Sequence, residues 1–450
     1  MTITPTEGRS GRPPLARLTR PLRSRLGLGV AVLAVVAGTA TMVPASASAA
    51  TSEGLLCDTS ASNTFTLSAG DGYVSTPDGN SIYMWSFANE VKGSFQLPGP
   101  TLCVTQGAKV TVILHNHLPE ASSIVFPGQT GVLADGNPAQ PEYTTDASPT
   151  LTSMVKSAAA TTGSVTYTFT AGTPGTYLYK SGTDVDKQVQ MGMFGALVVR
   201  PAGHSDQVNA RSDSKFSTAN EYLFLLSEVD PAVHLSVERK QPIDWSTYNA
   251  RYFMINGRSM PDTLSPNNAA YLPNQPYGAF VHIKPYDATN NPLPATIRYL
   301  NAGTVNYPFH PHGSDERVIN KDGQALEGPA GQDLSYNKYD LDVAPGQTLD
   351  VLMDWRDAEH WSDTPGNQIP TQIPAITDQL LVGTDTWFSE SPYLGTKHPV
   401  PTTITDNNAC GEYYHIAHSH ALQQATNFGA TFGGMMTLYR IDPPAGCPGN

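Results

Sequence analysis

Five histidines in two short stretches are the residues best placed to do chemistry. HIAHSHALQQ (415–424) holds His415, His418 and His420, and YPFHPHG (307–313) holds His310 and His312. Side chains alternate faces along a β-strand, so a His-x-His pair presents both imidazoles on one side. Neutral imidazole is a common metal ligand, and two on one strand supply half of a small site. His415 is offset by three from His418, so on a regular strand it faces the other way and reads as structural. His115 and His117 follow an apolar run and read as turn residues, while His360 and His398 lie in a long polar excursion. Other chemistries find no support. There is no G-x-S-x-G, P-loop or dinucleotide fingerprint. The carboxylates are scattered among segments that read as loops, so no acid/base pair stands out.

The elements that must position these histidines read as strands. Short alternating runs recur, among them KVTVILHN (109–116), SVTYTFTA (164–171), GTYLYKSG (175–182), GALVVRP (195–201) and TLDVLMDW (348–355). The 39 glycines and 37 prolines punctuate them, and no long amphipathic helical pattern occurs. Many short strands between turn signals predict β-sandwiches. The chain's 450 residues suit two or three domains. A polar stretch at 203–218 reads as a linker between a domain at 52–202 and a larger one at 219–443. The second carries a Pro/Thr/Asp-rich insertion at about 356–409. Loops of that length usually cover a site or make an interface.

Residues 1–50 read as a secretory signal peptide: six arginines, the apolar run LGLGVAVLAVVAG (26–38), then A-x-A cleavage candidates that place the cut within Ala47–Ala50. No other apolar run reaches membrane-spanning length. The leader carries six of the 26 basic residues and one of the 39 acidic ones, so the remainder balances 20 against 38, a net of −18 with neutral histidines. Such acidity argues against nucleic-acid binding. The four cysteines, Cys57, Cys103, Cys410 and Cys447, allow three pairings. Local stapling favours Cys57–Cys103 and Cys410–Cys447, and no C-x-x-C spacing suggests a zinc site.

Several stretches, in order, resemble the multicopper oxidase family. QLPGPTLCVTQGAKVTVILHNHL (96–118) is similar to the family's opening turn and strand. SSIVFPGQ (122–129) resembles its first copper motif, and GTYLYKSG with QMGMFGALVVRP (190–201) resembles its second. YPFHPHG resembles the third, and YHIAHSHAL (414–422) with GGMM (433–436) the fourth. The resemblance covers about 90–202 and 253–443. It implies an all-β protein of two tandem cupredoxin-like Greek-key sandwiches. It also implies copper chemistry: a type-1 ion on a Cys thiolate and two His, and a trinuclear cluster on eight His from two domains. Two-domain relatives often trimerise, which makes a homotrimer the implied assembly.

Against that pattern the motifs are degenerate. The type-1 positions hold Tyr307, Ser419 and Gln424, and the alternative thiolate position in the first domain holds Ser181. A hydroxyl is not a soft, redox-active ligand, so neither place can form a type-1 centre. The first domain's four cluster positions hold Val125, Pro127, Lys180 and Gly182. If the domains dock as the resemblance implies, the Lys180 ammonium points towards the vacant half. His310, His312, His418 and His420 remain, on two strands that the resemblance sets side by side. They either bind one metal ion, copper before zinc, or form a hydrogen-bonded patch. Met435 and Met436 read as core, and Tyr307 as packing. The expectation is a secreted, multicopper-oxidase-like protein, an oxidoreductase at family level, without laccase-type turnover. The alternative is a copper-free cupredoxin protein with a structural or interaction role. The substrate is not legible.

Overall fold

In the computed structural model, residues 53–355 and 413–442 are described. The leader, the 356–409 insertion and the Cys410–Cys447 pairing lie outside them. The described chain is built from strands, as the alternating runs predict. In Lys109–Asn116 every second side chain is buried, with Val110, Val112 and Leu114 inside. Ser164–Thr170, antiparallel to it, buries Val165, Tyr167 and Phe169. These strands belong to a six-stranded sheet that also holds Thr64–Ser75 and Ser81–Asn89. A three-stranded sheet, Gly175–Lys180, Phe194–Arg200 and Leu102–Thr105, contributes Tyr177, Tyr179, Leu197 and Val199 to the same core. His115 lies within Lys109–Asn116 rather than in a turn, and its Nδ1 pairs with Glu90 at 2.8 Å.

The second sandwich pairs a nine-stranded with a five-stranded sheet. The five-stranded sheet runs Val281–Ile283, Met436–Ile441, Tyr413–Ser419, Tyr307–Pro311, Leu341–Val343. The larger sheet includes Glu221–Val229, Ala295–Asn301, Glu316–Lys321 and Thr348–Met353. Glu221–Val229 (EYLFLLSEV) is buried along its whole length. Its near-continuous apolar run is explained by cover on both faces. Tyr222, Phe224 and Leu226 enter the second core. Leu223 and Leu225 join a separate layer with Leu178, Ala196 and Val198 of the first sandwich.

Two further features fix segments that lie outside the sheets. Cys57 and Cys103 form a disulfide. The 203–218 stretch is polar in sequence but packed: Val208 and Phe216 are fully buried against Ile319 and Leu352, and Asn209 Nδ2 donates to Asn320 Oδ1 at 2.6 Å. Two apolar anchors among many polar residues leave little trace in composition. Among the described residues no helix is long and apolar enough to cross a membrane.

Candidate metal centre

Strands Tyr307–Pro311 and Tyr413–Ser419 run antiparallel with His310 directly opposite His418. Alternation sends Phe309 and Ala417 into the core and the histidines to the opposite face. Just beyond the paired residues, backbone bonds hold the other two in place. His312 N donates to Ile416 O at 2.9 Å, and His420 N donates to Pro308 O at 2.6 Å. The four rings therefore cluster, with centroid separations of 4.6 Å (His310–His312), 5.2 Å (His312–His418), 5.3 Å (His310–His420) and 5.9 Å (His418–His420). His418 is buried, His310 and His312 are half-buried and His420 is exposed.

Backbone carbonyls select the tautomers. His310 Nδ1 donates to Tyr339 O, and His418 Nδ1 donates to Ser419 O at 2.8 Å. Each ring then presents a bare Nε2, the state a metal ligand needs. His418 Nε2 lies 3.2 Å from His312 Nε2. That spacing fits a shared proton. It also fits two ligands of one ion with metal–nitrogen bonds of ~2.0 Å and an angle of about 106° at the ion. Burial, and then the neighbouring imidazoles, push His312 down to about 4. Burial also lowers His418. Both rings are thus kept neutral near pH 7, as ligands must be. Among the described residues no three His, Cys, Asp or Glu side chains converge on one point as they stand. A third donor, His310 or His420, would have to turn inwards.

His415 is separate from this set. It is buried and packs against Trp355, the rings tilted by 39° with centroids 4.4 Å apart. Met435 and Met436 are buried, as is Tyr307, whose ring joins the second core.

The residues of the first sandwich do not fit a metal cluster. Val125 and Lys180 pair through their backbones, at 2.8 and 3.2 Å. A Cβ on Gly182 would lie 2.7 Å from Val125 Cγ1 and 3.0 Å from Ser123 Oγ, so that space is taken. Ser123, Ser153 and Thr183 close the place further with a ring of mutual hydroxyl bonds of 2.9–3.0 Å. Lys180 is half-buried and desolvation lowers its pKa. Ser153 lies far from any copper-type motif, and nothing in the sequence marks it. Ser123 stands inside the first motif, where only its hydroxyl hints at a polar filling.

Residues 89–204 match the multicopper oxidase family. Multicopper oxidase CTB12 from Cercospora beticola is 27% identical over 159 residues, 34% of this chain and 21% of that protein, so the match spans about a fifth of this relative. The fold is similar to that of a blue copper oxidase from Nitrosomonas europaea, with TM-score 0.55 and 18% identity over 84% of this chain and 85% of the other. It is equally similar to the multicopper oxidase mgLAC, with TM-score 0.55 and 19% identity over 84% and 86%. The chain thus carries a match to the multicopper oxidase family at 89–204, and its described residues share a fold with solved multicopper oxidases.

Proposed function

We propose that this chain is an exported protein with two cupredoxin-like domains, 52–202 and 219–443, that binds one copper(II) ion through His310, His312, His418 and His420. The observation that carries this reading is the 3.2 Å approach of His312 Nε2 and His418 Nε2, with the backbone fixing the His418 tautomer through Nδ1. Nitrogen donors favour copper over zinc in the usual affinity order. Copper held there would supply a Lewis acid and a one-electron acceptor. The chain's own part is to hold neutral imidazoles on two paired strands, with His420 open to solvent. Oxidoreductase chemistry belongs to this reading at family level only. The residues at the type-1 positions give no thiolate relay, so four-electron laccase turnover is not part of it. The leader supports export, with cleavage near Ala47–Ala50. A homotrimer fits the two-domain organisation.

The second reading is a copper-free protein with a structural or interaction role. It is favoured by the same contact, because His312 and His418 already satisfy each other by sharing a proton. The test is metal content. The protein is expressed with copper supplied, freed of loose metal, and its copper and zinc are counted per chain by mass spectrometry. About one copper per chain, lost in His310→Ala/His418→Ala, is the expected result. No metal in either protein sinks the copper reading and leaves the second.

A further inference from the structure

The two serines that stand where the family resemblance expects a thiolate are engaged in the same way. In the second sandwich Ser419 is fully buried and its hydroxyl donates to Gln424 Oε1. Gln424 lies on the short turn Leu422–Gln424 and donates Nε2 to Asn306 O at 3.2 Å. In the first sandwich Ser181 is fully buried and donates to Gln188 Oε1 at 2.6 Å. Gln188 lies on the helix Val185–Gln190 and donates Nε2 to Ala121 O at 2.8 Å. Both glutamines are buried. Asn306 directly precedes the stretch 307–313, and Ala121 directly precedes 122–129.

The same three-point link therefore occurs twice. A serine at a strand end bonds a glutamine on the next helical turn, and that glutamine bonds the backbone just ahead of the partner motif. The spacing differs, seven residues from Ser181 to Gln188 and five from Ser419 to Gln424. The shared geometry is thus not copied from one local sequence pattern. Each amide's orientation is fixed by its partners, since Nε2 only donates and Oε1 only accepts. Four buried polar side chains would each be costly without these bonds. With them, each is satisfied. A hydroxyl and a primary amide offer no soft donor, and hydrogen bonds already hold them.

We propose that in each sandwich this serine–glutamine clamp replaces a metal ion as the cross-link between paired motifs, so that the fold closes at both places without copper. The proposal stands apart from copper binding by the histidine set. Its test uses the full chain, purified with copper and again after chelation. Unfolding midpoints are compared for wild type, Ser181→Ala, Gln188→Ala, Ser419→Ala, Gln424→Ala and the two double variants. Each single substitution should lower the midpoint, and each double should fall no further than its worse single. Fully additive losses in the doubles overturn the proposal. So does a chelation-induced drop that is present in wild type and absent in Ser419→Ala. A drop that persists in Ser419→Ala and disappears in His312→Ala supports the clamp and reports on the histidine set instead. Ser419→Cys keeps the size of the side chain and provides an independent arm. With copper(II) added it should show no intense visible thiolate-to-copper band, because Tyr307 and Gln424 bring no imidazole. Appearance of that band overturns the proposal.

Discussion

Glu316 lies wholly inside the second sandwich, where its Oε1 accepts from the Tyr299 hydroxyl at 3.0 Å and the Tyr439 hydroxyl at 3.1 Å. Burial raises its carboxyl from the ordinary 4.5 to about 8, and the two phenol bonds only partly offset this. The sign follows from proton counts. Between 4.5 and 8 the folded chain holds a proton that the unfolded chain has lost, so this group makes stability fall as pH rises through that window. Above about 8 the folded carboxyl is also ionised and the decline stops. Glu316→Gln should therefore lose less stability than wild type between pH 5 and pH 9, read as urea midpoints. Equal losses in both proteins would show that Glu316 does not carry the effect. At this scale the sequence was legible where residue type is itself the signal: two His-x-His pairs, and serines at the thiolate positions. It was not legible for Glu316 or for the glutamines. A carboxylate in ERVINK looks like any solvated strand residue until its neighbours are known, and the reading of carboxylates as scattered in loops missed it. Gln188 had no visible partner because Ala121 lies 67 residues away.

The sheets themselves meet through charge as well as apolar packing. Arg298, on Ala295–Asn301, is 1% exposed and lies between two carboxylates. Its Nε donates to Glu221 Oε1 at 2.8 Å and its Nη1 to Asp350 Oδ1 at 3.0 Å. Asp350 also accepts from Thr176 of the first sandwich, through the backbone N at 3.2 Å and through the hydroxyl. Arg200 completes the set by donating to Glu221 at 2.7 Å. Burial works to raise Glu221, but the two guanidinium groups outweigh it and hold its pKa low. Removing one member leaves a buried charge short of its partner, which costs about 3–5 kcal/mol. Asp350→Ala should therefore destabilise the protein by about that much in chemical denaturation, and a loss below ~1 kcal/mol would exclude this role. Of the strands that carry the set, Gly175–Lys180, Phe194–Arg200 and Thr348–Met353 overlap runs quoted from the sequence, whereas Glu221–Val229 and Ala295–Asn301 are not among those runs. The charges inside them were not legible, because Asp350 in TLDVLMDW breaks no alternation rule. The 203–218 stretch was misleading for the converse reason. Its composition is that of a linker, yet Val208, Phe216 and the Asn209–Asn320 bond pin it down.

Whether the two sandwiches behave as one body depends on the layer between them. Leu178, Phe194, Ala196 and Val198 from the first lie in one buried cluster with Leu223, Leu225, Tyr252, Met254 and Leu300 from the second. Domains joined by small polar interfaces move independently, whereas a large apolar interface couples them. Here the layer is apolar, and the Arg298 set bonds across the same boundary. Neither sandwich can unfold without exposing the other's half of the layer. Calorimetry of the full chain should then show a single transition, with calorimetric and van't Hoff enthalpies in agreement. Leu225 is fully buried in this layer. Leu225→Ala should cost about 2–5 kcal/mol, as core truncations do, and should move the whole transition down rather than split it. Two resolved transitions in wild type would refute the coupling. A Leu225→Ala profile with one transition left at its original temperature would refute it as well, because one sandwich would then be stable without the shared layer.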